Sequence, residues 1–168
     1  MAAAARGVVI CCRQPRPQRS SAIGVVHTDP PQVAGTSLQS LAGYGLLRVT
    51  IKALRRHAPA AFPVVVRTGA NMPPHTDAYC CRRETRFVIT LGRHLDPKSA
   101  VEAVLHEWAH ARGWSHRHDR AIDDLEAGRI SDPDFENLVH DAAWGVEFAF
   151  CWRVFTGEVL PGFDPTTT

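Results

Sequence analysis

The sequence predicts a single α+β domain: an N-terminal helix, a small antiparallel or mixed three-stranded sheet, a helix carrying the motif His106-Glu-x-x-His110, and a C-terminal helix. Length and composition set the frame. The 168 residues, 45% hydrophobic and 21% charged, suffice for one buried core and are too few for two ordinary domains. The order of patterns supplies the rest. A helical period comes first, three short β-branched or aromatic runs follow, and helical periods close the chain, which is not the alternation of βαβ units. No internal repeat interrupts it.

Residues 1 to about 35 are rich in Ala, Arg, Pro, Gln and Ser, with Asp29 as their only acid. Lacking sustained periodicity, they are expected to form a disordered basic tail; a transit peptide is the less favoured reading, because no amphipathic helix is evident. The folded domain is expected over 36–158. From Thr36, Leu38, Leu41, Leu47, Ile51 and Leu54 recur at helical offsets, with Arg55 and Arg56 near the helix end. Pro63-Val-Val-Val-Arg67, Ala78-Tyr-Cys-Cys81 and Arg86-Phe-Val-Ile-Thr-Leu91 read as strands, the last two paired antiparallel. Asp96 is placed to cap a helix with Pro97 at its first position. Val101, Val104, Leu105, Trp108 and Ala109 mark its buried stripe to about Arg112, where Gly113 offers a left-handed ending. Ser115 to Ser131 reads as a polar, acidic connection. One long helix is then expected from Pro133 to Phe155, with Phe135, Leu138, Val139, Ala142, Phe148, Trp152 and Phe155 on one broad side, and 159–168 as a flexible tail.

The formal net charge is only +2, which gives no support to a chain organised around a strong nucleic-acid field. Its distribution is uneven: residues 1–116 hold 15 basic and 6 acidic groups, residues 117–168 hold 4 and 11, so the two parts differ in potential. No stretch approaches about 18 consecutive apolar residues and no secretory core region is present. A membrane span is ruled out, secretion is not expected, and a cytoplasmic location is. Five cysteines, at 11, 12, 80, 81 and 151, form an odd set without C-x-x-C spacing, which argues for reduced, core-packed thiols rather than disulfides or a thiolate zinc ribbon.

The chemistry lies in His106-Glu-Trp-Ala-His110. Two imidazoles four residues apart leave a helix on one face and can both reach one Zn²⁺ at about 2.0–2.1 Å, while Glu107 beside them can take a proton from zinc-activated water. A capped helix directly after an edge-like strand is the setting such a motif requires. Catalytic zinc takes a third protein ligand and keeps one position open, and the residues leave three sources for that ligand. His116 would complete His106-Glu-x-x-His110-x-x-Gly113-x-x-His116, the metzincin spacing, yet Met1 and Met72 both lie upstream of the motif, where no Met-turn can follow it. His140, in Val139-His-Asp-Ala-Ala-Trp-Gly-Val-Glu-Phe148, is the second; a hydrogen bond to Glu136 one turn earlier would explain it equally well. A carboxylate such as Glu147 or Asp119 is the third. His118, like His116, falls in the polar connection, where His is ordinarily solvated.

Leu105-His-Glu-Trp-Ala-His110 followed by His140-Asp-x-x-Trp144-Gly145-x-x-Phe148 resembles the SprT-like zinc metallopeptidases, including their small phage and bacterial members, over roughly residues 37 to 155. The resemblance implies a zincin-like fold, zinc as cofactor, His106, His110 and His140 as ligands, Glu107 as general base, and a protein or peptide substrate. The connection between the two motifs is longer than is usual in that family, and no Cys-rich ribbon accompanies it, so ribbon-dependent nucleic-acid recognition is not implied. The group that would steady an oxyanion is open among His118, Arg112 and Arg117.

Two rival readings use the same residues. His106, His110 and His116 match the His-x3-His-x5-His spacing of rRNA-maturation endoribonucleases, and a closed structural zinc would need His118 or Asp119 as fourth ligand. Trp108 and Trp152 are expected in the core, whereas Trp114 and Trp144 could line a cleft; Gly145 could let two helices approach. Arg55, Arg56, Arg82, Arg83 and Arg86 make a basic cluster without interleaved aromatics, so nucleic acid is only a secondary partner expectation.

Overall fold

Residues 8–12, 44–70, 72 and 76–162 are described by the structure, a computed structural model. In chain order they form β1 (Val8–Cys12), α1 (Gly45–His57), β2 (Val64–Gly69), β3 (Ala78–Arg83), β4 (Arg86–Gly92), α2 (Pro97–Gly113), α3 (His116–Glu126), α4 (Asp132–Val139) and α5 (Ala142–Val154). A π turn, Phe155–Val159, and a short 3-10 turn, Leu160–Gly162, follow α5. The α+β class expected from the sequence is the class observed. No helix among the described residues is long and apolar enough to cross a membrane.

In α1, Leu47 and Leu54 are buried and Ile51 is half-buried, so the periodic stripe is the face that meets the core; Leu38 and Leu41 lie outside the described residues. Thr50 is buried as well, and its hydroxyl donates to the Leu46 carbonyl at 2.7 Å, the i−4 bond that lets a polar side chain sit in a helix interior.

The sheet order is β1-β3-β4-β2. β3 and β4 form the expected antiparallel pair, with Arg83 opposite Arg86, and β2 lies parallel to β4, so the sheet is mixed. Its three expected strands gain a fourth. Val8–Cys12, within the stretch expected to be a disordered tail, pairs antiparallel with β3 from Val8 opposite Arg82 to Cys12 opposite Ala78. Val-Val-Ile is strand-forming, but five residues weigh little against the composition around them. The rest of 1–35 and residues 163–168 of the expected C-terminal tail lie outside the described residues. β4, the strand that precedes α2, is internal rather than edge-like, and its residues Phe87 to Gly92 are buried on both faces.

α2 begins as its sequence dictates. Asp96 accepts from the Lys98 and Ser99 amides at 2.9 and 3.1 Å, and Pro97 occupies the first turn, where no amide donor is needed. Its end differs from expectation. Gly113 is the last helical residue, and the helix stops because Trp114 is extended (φ −60°, ψ 129°). Among the described residues the left-handed glycine is Gly128 (φ 67°), which follows α3.

Two further elements differ. The polar connection after Trp114 contains α3, an 11-residue helix capped by Ser115, whose Ala121 and Ile122 pack against Phe135 and Val139 of α4. The single long helix is two: α4 ends at Val139, and α5 starts after Asp141. Ala142, assigned to the apolar side of one continuous helix, is exposed as a result.

The main core lies between one face of the sheet and helices α1, α2 and α5. Trp108 is its largest fully buried side chain, and its indole N–H donates to the Ala58 carbonyl at 2.8 Å, tying α2 to the end of α1. Trp108→Phe removes that donor and leaves the buried carbonyl bare. We expect a loss of about 1–3 kcal/mol in unfolding free energy, read as a lower urea midpoint at unchanged m-value.

Candidate metal centre

α2 delivers two histidines to one place because residues i and i+4 share a helix face. His106 and His110 bring their Nε2 atoms to 3.3 Å of each other. Glu107, next along the helix, is turned inward and is 1% exposed.

The third histidine comes from the break between α4 and α5. His140 is the first residue past α4, and Asp141 starts α5 by accepting from the Trp144 amide at 3.0 Å, so the chain turns here instead of continuing one helix. The turn carries His140 Nε2 to 3.1 Å from His106 Nε2 and 3.2 Å from His110 Nε2. On its other side, His140 Nδ1 meets the Glu136 carbonyl at 3.0 Å and the Glu136 carboxylate at 3.2 Å. The hydrogen bond to Glu136 and the convergence on the other histidines, alternatives in the sequence, are one arrangement: Nδ1 keeps the proton, and the Nε2 lone pair faces the cluster.

Burial keeps the His106 and His110 rings neutral. Burial, and next the neighbouring His140, pull His106 down to about 4. Burial pulls His110 well below its ordinary value, with His106, His140 and His118 adding to it. Neutral imidazoles whose nitrogens meet repel through their lone pairs, and a cation between them removes that cost. A tetrahedral ion with bonds of about 2.0–2.1 Å sets its imidazole nitrogens about 3.3–3.4 Å apart, close to the spacing seen. His106, His110 and His140 could therefore hold a metal ion.

Aromatic rings flank the cluster. The Trp144 ring lies 4.8, 5.5 and 4.6 Å from the His106, His110 and His140 rings and stacks on Phe148 at 4.9 Å. The Trp144 Nε1 atom is buried with no hydrogen-bond partner among the described residues, an orphan donor on a ring that contacts all three histidine rings. Two ion pairs fix the frame. Arg112 of α2 meets Glu147 of α5 at 2.6 Å, and Arg117 of α3 meets Asp141 at 2.8 Å.

The remaining candidates go elsewhere. His116 stands at the head of α3, fully exposed, 3.7 Å from Asp119, and does not join the cluster. Asp119 is engaged by Arg82 and by the Trp114 indole at 2.9 Å, and Glu147 by Arg112. His118 is buried rather than solvated: it completes a capping box with Ser115 and stacks on Trp114 at 5.6 Å. Arg112 and Arg117 are likewise held in ion pairs. Gly145 has open space where a side chain would be, so it does not bring two helices together. Within the basic cluster, Arg82 is held by Asp119 and Arg55 donates to the Val64 carbonyl. Cys80, Cys81 and Cys151 are free and buried; burial raises all three thiols, Cys151 to about 12, so none is a ready nucleophile. The sequence reading missed the helix break that aims His140. Its signal is Asp141 three residues before Trp144, the spacing of a cap within an otherwise helical run.

Asp141→Ala removes that cap and is expected to cost about 1 kcal/mol at neutral pH. The Trp144 amide, and then Arg117, hold the Asp141 carboxyl below its ordinary value. A depressed folded-state pKa stabilises fully above the unfolded value of about 3.9 and less as pH falls through the folded one. Thermal unfolding of the two proteins should therefore differ by a constant amount from neutral pH down to about pH 5 and converge on further acidification; a gap that widens in acid contradicts this.

Comparison of the chain with protein-family models, with curated proteins and with solved structures finds no match.

Proposed function

We propose that the protein is a zinc-dependent peptidase of the SprT-like kind, with His106, His110 and His140 as the metal ligands and Glu107 as the general base. The observation that carries this reading is the meeting of three Nε2 atoms at 3.1–3.3 Å beside a buried glutamate on a His-Glu-x-x-His helix. Three imidazoles suit zinc and leave a fourth position for substrate, as a hydrolytic rather than a structural site requires. With His116 remote, the ligand set of the endoribonuclease spacing has no geometric support, and with neither His118 nor Asp119 in the three-histidine group, a closed four-ligand site has none either.

When bound, zinc would supply Lewis acidity, polarising a peptide carbonyl and acidifying water. The chain's own groups do the rest. Glu107 accepts the proton as water oxygen bonds to the carbonyl carbon, then returns it to the amine nitrogen as the C–N bond breaks. Glu136 holds His140 by its Nδ1 proton and so keeps Nε2 directed at the cluster. Trp144 and Phe148 form an apolar wall that sheds water and suits a peptide side chain. A protein or peptide is favoured over nucleic acid because two of the five clustered arginines are already held by protein acceptors. The reduced, buried cysteines fit a reducing compartment such as the cytoplasm.

The test is zinc per chain together with hydrolysis of fluorescein-labelled casein. Wild type and His116→Ala should each carry one zinc and cleave; His140→Ala should lose the metal and the activity. Glu107→Gln should keep the zinc and lose about 10²–10⁴-fold in turnover. Zinc retained by His140→Ala but lost by His116→Ala would overturn the assignment.

A further inference from the structure

Among the tryptophans, Trp108 donates its indole proton to the Ala58 carbonyl at 2.8 Å and Trp114 to the Asp119 carboxylate at 2.9 Å. Trp144 differs from both. Its Nε1 is buried and, among the described residues, has no acceptor. An indole N–H can only donate, and buried donors in folded proteins are almost always bonded. The immediate neighbours explain the vacancy of a partner: Phe148 has no acceptor to offer, and the Nε2 atoms of the three histidines converge on one another.

The donor is also held in place. The Trp144 amide is bonded to the Asp141 cap, the ring is stacked on Phe148 at an interplanar angle of 13°, and its centroid stays within 5.5 Å of each histidine ring. A fixed ring that touches all three histidine rings and carries an unused donor is what a preorganised hydrogen bond to an incoming oxygen would use. Tolerating an orphan donor makes sense where the acceptor arrives with the ligand.

We propose that the Trp144 Nε1–H is a substrate-binding donor at the three-histidine centre, taking the carbonyl oxygen of the scissile peptide unit. The identity of that oxygen rests on the peptidase reading above; the donor role rests on Trp144 itself. The indole proton is not transferred. Its hydrogen bond strengthens as the oxygen gains negative charge, so Trp144 supplies the electrophilic assistance that Arg112 and Arg117, both held in ion pairs, do not.

The experiment is a proton–nitrogen correlation spectrum of the zinc-loaded, full-length protein, titrated with acetohydroxamic acid as an oxygen-rich, zinc-seeking probe. The Trp144 indole resonance, assigned by its through-space contacts to Phe148, should move downfield on saturation, while those of Trp108 and Trp114, with protein acceptors, should stay in place. Trp144→Phe, which keeps the stack, should bind the probe about 3- to 10-fold more weakly, the worth of one hydrogen bond. It should also lower casein turnover by roughly 10²-fold at unchanged zinc content. Probe binding with an unmoved Trp144 resonance, or equal binding by Trp144→Phe, overturns the donor role and leaves the zinc site standing. Failure to bind zinc or the probe at all overturns the metallopeptidase reading and this inference with it. The wild-type spectrum decides even if the variant folds poorly.

Discussion

Three imidazole nitrogens within 3.3 Å of one another are the constraint to which the neighbouring structure is fitted. Two of them cost the fold almost nothing, since a single turn of α2 brings His106 and His110 to the same face. The third has to cross from the far end of the domain, thirty residues on in sequence. To deliver it, the chain needs α3 and α4 as a detour, a stop at Val139, and a new helix that packs against α2.

That delivery relies on acidic groups. Four acids of the negative stretch 117–168 are spent on internal partners: Glu136 on His140, Asp141 on Arg117 and the α5 amides, Glu147 on Arg112, Asp119 on Arg82 and Trp114. Each of these joins an element near the histidine cluster to a neighbour or orients one of its histidines. Such half-exposed pairs contribute modestly to stability. Their value lies in direction, because an imidazole misaimed by a fraction of an ångström no longer shares a ligand sphere.

The same centre shows how burial serves chemistry. In water, histidines at neutral pH are a mixture of charged and neutral rings. Here desolvation drives His106 and His110 to the neutral form, the form that offers a lone pair. Trp144 and Phe148 complete the dry wall, and α2 lies against the sheet on its opposite side through Trp108, Leu105 and Val104. Helix α2 thus has one face committed to the core and another to the histidine cluster, leaving few positions free to vary.

By itself the sequence determined what depends on near neighbours. The α2 cap at Asp96, its buried stripe, the pairing of His106 with His110, the β3–β4 hairpin and the α+β class all follow from spacing and local hydrogen bonding, and all are present. Tertiary structure decided the rest. Periodicity reports which face of its own axis a residue occupies, not where the axis ends, so Pro133 to Phe155 read as one helix although Asp141 divides it. α3 escaped because its stability comes from Ala121 and Ile122 packing on Phe135 and Val139, contacts that a polar sequence does not announce. β1 escaped because a strand exists only through its partner, and β3 lies some seventy residues away. His140 sits at the meeting point of these long-range choices. Its spacing left it level with a surface histidine bonded to Glu136, and only the packed helices brought its second nitrogen to the other two.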